Sequence, residues 1–282
     1  MLIYAFPGQG SQKKGMGSHL FPKYASLMEK ADTILGYSMQ QLCLEDKERQ
    51  LSNTLFTQPA LYVVNALHYY ERLALTDVSP DYLIGHSLGE FNALLAAGVF
   101  DFETGLLLVK KRAELMSNAK KGRMAAIIGA SLSTIHEILE NASFPNITIA
   151  NLNAPQQYII SGPEDDLMQC QHAFQGDVKF VPLNVSGAFH SPLMEEAGIE
   201  FSSYIKQFSL SPARIKVISN YTARPYTADS LYENLCKQIT SPVRWMDSIQ
   251  YLLKQGPMLL EETGPGNVLS KLAEQIAQCR LN

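Results

Sequence analysis

The stretch "YLIGHSLGEFNAL" at Tyr82–Leu94 constrains the fold more than any other. An apolar segment, YLIG, runs into Gly85-His86-Ser87-Leu88-Gly89 and then into an amphipathic segment. This pattern reads as a buried strand that turns sharply into a helix. Such a corner forces its middle residue into a strained backbone, so the residues two positions away on either side must be small. Ser87 is left at the tip. The Leu88 amide points into the same space, because the first amides of a helix have no intrahelical partner and favour anions. One turn thereby supplies a serine nucleophile and one donor for an oxyanion. The plain alternative is a Gly-Ser turn before a helix.

Around this corner, strand and helix patterns alternate. LIYAF at the start is an apolar run that ends at Pro7-Gly8. Helical periodicity follows Pro59, which is expected at a first helical position. A further helix begins at Asp101 as N-cap, with Gly122 as its expected stop. Strands alternating with helices predict a parallel sheet covered on both faces. After Gly122 the order becomes strand (RMAAIIGA), helix (SLSTIHEILEN), strand (ITIANLN), strand (QYIISGP), helix (EDDLMQCQHAFQ), strand (VKFVPLNV). That β-α-β-β-α-β order is the ferredoxin-like unit. The expected organisation is α/β: a large subdomain over 1–122 and 187–282, and an inserted small one over 123–186.

Composition removes several classes. Of 282 residues 46% are hydrophobic and 18% charged, which fits a globular chain and not a disordered one. The net charge of −4, with no basic tail, argues against a nucleic-acid partner. No apolar run approaches the roughly 20 residues of a membrane span. The N-terminal MLIYAFPGQG has no positive segment before its apolar run, so the expectation is no signal peptide and a cytoplasmic protein. Cys43, Cys170, Cys236 and Cys279 lie far apart with no CxxC pair, which suits isolated thiols and no metal site.

A serine alcohol needs a base. Of six histidines, His190 stands apart: it lies in "VSGAFHSPLM", a loop at the junction of the two subdomains. A satisfied loop histidine is the competing reading. As a general base it is expected to titrate near neutrality. Glu195, Glu196 and Asp177 flank it, but spacing singles out none of them as an orienting acid. Arg112 in "LLLVKKRAELM" shares a helical face with Leu108 and Leu115 or Met116. A charge on an apolar face implies either a grip on a substrate carboxylate or an internal salt bridge. The glycine-rich "FPGQGSQKKGMG" lacks the spacing of a nucleotide loop. Its place after a strand suits ligand binding, and its amides could complete an oxyanion hole with Leu88. Lys110, Lys111, Lys120, Lys121 and Arg123 form a candidate basic docking face.

Eight ordered motifs, "FPGQGSQ" (6–12), "TQPAL" (57–61), "GHSLGEF" (85–91), "KKRAELM" (110–116), "ANLNAPQQ" (150–157), "GAFHSPLM" (187–194), "QITSPVRW" (238–245) and "ETGPGNVL" (262–269), resemble those of malonyl-CoA:acyl carrier protein transacylases. The resemblance is nearest to stand-alone acyltransferases that serve polyketide synthases in trans. It implies an α/β-hydrolase-like large subdomain with a ferredoxin-like insert. It also implies a ping-pong transfer of malonyl from malonyl-CoA to a carrier-protein thiol, for polyketide or fatty acid synthesis. In this family's terms Ser87 is the acylated nucleophile and His190 the base, oriented by backbone carbonyls in place of an aspartate. The Gln9 and Leu88 amides form the oxyanion hole. Arg112 pairs with the malonyl carboxylate, Gln238 lies near the catalytic pair, and Phe189 crowds branched acyl groups. The implied partners are malonyl-CoA and an acyl carrier protein or a synthase carrier domain. No cofactor, metal, nucleic acid or membrane is implied, and a monomer is expected.

Overall fold

The computed structural model describes residues 1–185 and 187–279. In chain order the first half comprises β1 (Leu2–Phe6), α1 (Ala25–Leu35), α2 (Met39–Leu44), α3 (Thr54–Leu75), β2 (Tyr82–Gly85), α4 (Gly89–Ala96), α5 (Phe102–Asn118), β3 (Arg123–Ile128) and α6 (Leu132–Asn141). The second half comprises β4 (Thr148–Ala154), β5 (Gln157–Gly162), α7 (Glu164–Cys170), β6 (Lys179–Pro182), α8 (Glu195–Ile205), β7 (Lys216–Ile218), α9 (Leu231–Thr240), α10 (Trp245–Gln255), β8 (Leu259–Glu262) and α11 (Val268–Cys279).

The strands form two sheets. One is parallel, in the order β7-β2-β1-β8. The apolar residues of β1 alternate between its faces, as a pleated strand requires. Tyr4 and Phe6 pack with α3, α4 and α5, whereas Ile3 and Ala5 pack with α10 and α11. Both faces are therefore buried, which is why the strands read as continuous apolar runs. Register places Phe6 beside Gly85 and Ile84 beside Ile218. The loops after β1, β2 and β7 consequently leave the sheet at one end, where α/β folds place ligands.

The second sheet is antiparallel, in the order β4-β5-β3-β6, with α6 and α7 packed on it. Its strands and helices follow the β-α-β-β-α-β order expected of a ferredoxin-like unit. The chain enters and leaves this unit side by side, at a bridge between Lys121 and Gly187. Edge strand β4 also bonds to the α9–α10 connection, through Leu152 N–H to the Val243 carbonyl (2.9 Å) and Val243 N–H to Ala150 (2.8 Å). The expected subdomain bounds run through residues 186 and 280–282, which lie outside the described residues.

Two local expectations fail. Helix α3 starts at Thr54, capped by the Asn53 side chain accepting from Leu55 N–H (3.0 Å), so Pro59 lies inside the helix. The cap, with Thr57 Oγ1 bonded to the Leu51 carbonyl (2.7 Å) and Thr54, Thr57 and Gln58 all buried, outweighs the bond that proline cannot make. Helix α5 ends at Asn118 and not at Gly122. Gly122 is small for another reason: a Cβ there would overlap the Ala188 side chain where the two crossing segments meet. Helices α1 and α2 fall where the sequence pattern placed no element.

Candidate active site

Strand β2 ends at Gly85, and the chain turns into α4 through Ser87, whose φ of 52° is left-handed. A non-glycine residue rarely adopts that conformation, and here the surroundings impose it. A Cβ on Gly85 would overlap the backbone of Gly89, and one on Gly89 would overlap the backbone of Phe6. The glycines thus let α4 lie directly against the strand ends. The Asn220 side chain braces the turn: its Oδ1 accepts from Ser87 N–H (2.7 Å) and its Nδ2 donates to the Gly85 carbonyl (2.7 Å). Leu88 N–H and Gln9 N–H have no acceptor among the described residues, and both residues line one cavity with Ser87.

His190 also has a left-handed backbone, with φ of 57°, and is 4% exposed. Its Nε2 lies 2.7 Å from Ser87 Oγ, and its Nδ1 lies 2.8 Å from the Gln238 carbonyl oxygen. A carbonyl can only accept, so Nδ1 carries the proton and Nε2 is the acceptor facing the serine. Glu195, Glu196 and Asp177 are exposed and none bonds to the imidazole. Burial and then the nearby Arg112 guanidinium push the His190 pKa down to about 3. The expectation of a group titrating near neutrality is thereby corrected: the imidazole is neutral throughout that range, in the form that accepts a proton.

Arg112 comes from the buried face of α5 and is 1% exposed. Its guanidinium donates to Gln58 Oε1 (2.5 Å), Gln238 Oε1 (2.9 Å) and Ser87 Oγ (3.1 Å), and lies over the Phe91 ring at 5.6 Å. Its Nε has no partner, and no described carboxylate lies within 4.0 Å of it. Neutral amides hold this charge, so an internal salt bridge is not what keeps it there. Burial lowers its pKa to about 10, which leaves it cationic at neutral pH.

The cavity at Ser87 measures about 80 Å³ and is walled on its apolar side by Met116, Met124 and Phe189. It adjoins a larger cavity of about 360 Å³, with Gln9, His86, Asn151, Leu183 and Val185 common to both. His86 points away from Ser87 toward Asn153 Oδ1, 2.9 Å from its Nε2. Sequence reasoning missed Glu90, Gln58 and Asn220. Glu90 is fully buried and accepts from Gln238 Nε2 (2.5 Å), Tyr226 Oη (2.6 Å) and Asn220 N–H (2.9 Å). Burial pushes its carboxyl up to about 7 against those bonds. The available signal was the one charged residue on the mostly apolar helix GEFNALLA. Of the basic docking face, Lys110 donates to the Ile34 carbonyl and Lys111 lies over Tyr204, while Lys120 and Arg123 make solvent-exposed pairs with Glu196 and Glu164 and Lys121 is exposed. Among the described residues no group of three or more His, Cys, Asp or Glu could hold a metal ion.

Residues 3–277 match the acyl transferase domain family. A polyketide biosynthesis malonyl CoA-acyl carrier protein transacylase of Bacillus velezensis is 52% identical over 279 residues, spanning 98% of this chain and 96% of that protein. The crystal structure of a malonyl CoA-acyl carrier protein transacylase from Burkholderia pseudomallei superposes with a TM-score of 0.97 at 49% identity, over 99% of this chain and 98% of that one. A malonyl-transacylase solved in complex with a type II polyketide-synthase acyl carrier protein superposes with a TM-score of 0.92 at 29% identity, over 98% of this chain and 93% of that one.

Proposed function

The chain belongs to the acyl transferase family, and from that membership we infer its reaction: it transfers malonyl from malonyl-CoA to the pantetheine thiol of an acyl carrier protein. Its relatives serve polyketide synthesis, and supply of extender units for polyketide or fatty acid assembly is part of this reading. In the first half-reaction the Ser87 hydroxyl attacks the thioester carbonyl and His190 Nε2 takes its proton. The oxyanion is held by the Gln9 and Leu88 amides. As the tetrahedral intermediate collapses, the C–S bond breaks and the imidazolium returns its proton to the coenzyme A thiolate, leaving malonyl-Ser87. In the second half the carrier thiol loses its proton to His190 and attacks the acyl-serine, and Ser87 leaves with that proton. Nothing in these steps calls on a cofactor. A cytoplasmic place of action belongs to the same reading. No described helix is long and apolar enough to cross a membrane.

Arg112 carries the substrate assignment. A buried guanidinium 3.1 Å from the nucleophile, with a free Nε and no carboxylate partner, suits an acyl group that ends in a carboxylate. The cavity volume supports the same reading. The cavity beside the nucleophile, about 80 Å³, gives room for a short acyl group. Phe189 on the wall of that cavity disfavours a branched one. A hydrolase that clears neutral acyl chains would have no use for this arginine. The test is transfer of radiolabel from malonyl-CoA to a phosphopantetheinylated carrier protein. Labelled carrier supports the reading, while release of free malonate without labelled carrier identifies a hydrolase.

A further inference from the structure

Glu90 takes no part in the steps above, yet it is the one fully buried carboxylate among the described residues. An acidic group in that position is costly unless its partners are well placed. Its Oε2 accepts from Gln238 Nε2, and its Oε1 accepts from Tyr226 Oη and Asn220 N–H.

The Gln238 side chain has two ends of opposite polarity. Both N–H bonds of its amide are taken by acceptors, Glu90 Oε2 (2.5 Å) and the Ser87 carbonyl (2.8 Å). Only then is Oε1 left to face Arg112, at 2.9 Å. Turned over, the amide would set its NH₂ against the all-donor guanidinium. The main-chain carbonyl of the same residue holds His190 Nδ1. On its other side Glu90 bonds Asn220, whose Oδ1 holds Ser87 N–H. One carboxylate is therefore a single residue away from Arg112, His190 and Ser87.

We propose that Glu90 is a positioning residue that sets substrate selectivity: by accepting from Gln238 it fixes the polarity of that amide, and so holds Arg112 ready for the malonyl carboxylate. The proposal rests on the malonyl-transfer reading above. Replacing Glu90 with glutamine puts an NH₂ into a cage of donors. The Asn220 backbone N–H cannot turn, so the new amide gives it the oxygen. Its NH₂ then stands donor to donor against Gln238 Nε2, so that amide is either pushed out of place or turned over at the expense of the Ser87 carbonyl, and in both cases its Oε1 leaves Arg112.

The experiment measures kcat/KM for malonyl-CoA and for acetyl-CoA in wild type, Glu90→Gln, Gln238→Met and the double variant. The malonyl-to-acetyl ratio is expected to fall tenfold or more in Glu90→Gln and in Gln238→Met. Glu90→Gln should change it less than twofold once Gln238 is already Met, because both changes act through one amide. A merely structural Glu90 would lower both activities together and leave the ratio alone. A ratio within twofold of wild type in folded Glu90→Gln overturns the proposal, as do fully additive effects in the double variant. Should Glu90→Gln fail to fold, an unchanged ratio in Gln238→Met overturns it alone. Failure of the wild type to transfer malonyl would instead reject the functional reading beneath it.

Discussion

The interior of the antiparallel sheet is built from residues such as Ala125, Ile127, Ile135, Ile160 and Leu167, with Asn153 and Ser161 its only buried polar side chains among those described. At the end of the parallel sheet, within one hydrogen-bonded group, lie Glu90, Arg112, His190, Asn220 and Gln238, and both Ser87 and His190 hold left-handed backbones. The first region follows the rule that apolar burial stabilises a fold. The second breaks that rule repeatedly, with a desolvated cation, a desolvated carboxylate and two strained residues. Strain and buried polarity of this kind persist only where the surrounding structure imposes them, and they mark the place where chemistry is done. Substitutions in the two regions should therefore separate activity from stability in opposite directions.

The largest effect is expected at His190. His190→Ala should lower the rate of Ser87 acylation by about 10²–10⁴-fold, the usual worth of a general base, with unfolding in denaturant little changed. A folded variant that keeps the wild-type rate would remove His190 as the base. The opposite outcome is expected from Ile160→Ala in the small sheet. It should cost about 2–5 kcal/mol in chemical denaturation, as large-to-small core changes do, while kcat/KM at low temperature stays within about threefold of wild type. A collapse of activity without loss of stability would mean that the small sheet is more than a support.

A smaller effect concerns selectivity. Arg112→Ala should lose malonyl transfer and gain acetyl transfer relative to wild type. An unpaired buried donor costs about 1–3 kcal/mol, so the kcat/KM ratio should shift by about fivefold to about 140-fold. An unchanged ratio would make the arginine structural. The smallest effect, per unit of pH, is on stability. Below pH 6.5 an unfolded chain protonates this imidazole, whereas the folded protein resists until about pH 3. His190 therefore makes stability fall as the pH drops through that window, by up to about 1.4 kcal/mol per pH unit. His190→Ala should flatten that slope, as measured by denaturant midpoints from pH 7 to 4. Identical slopes would contradict the buried, neutral histidine.

What could be read from the sequence was what is local. Gly85, Ser87 and Gly89 lie within five residues, and the steric reason for the glycines acts within that span. Arg112 was conspicuous because a helical face has a fixed period and one charge broke it. Its partners were not legible. Gln58 and Gln238 reach it from 54 and 126 residues away, and only their arrival decides between a salt bridge and a waiting charge. Glu90 sat inside the most informative motif, yet its bonds to Tyr226 and Gln238 span 136 and 148 residues. The pKa of His190 was misjudged for the same reason, because burial and the field of Arg112 are tertiary effects. Pro59 does not open the helix because the Asn53 cap, six residues before it, outweighs one missing donor.

The central claim is that the strained corner at Ser87 carries the acyl group between two thiols. The protein should be mixed with malonyl-CoA in the absence of carrier, quenched within seconds, digested and mapped by tandem mass spectrometry, with Ser87→Ala alongside. The account predicts a malonyl adduct on the peptide containing Ser87, discharged when carrier protein is added before the quench, and no adduct in the variant. An adduct on any other residue, or turnover by an enzyme that never carries one, would contradict it.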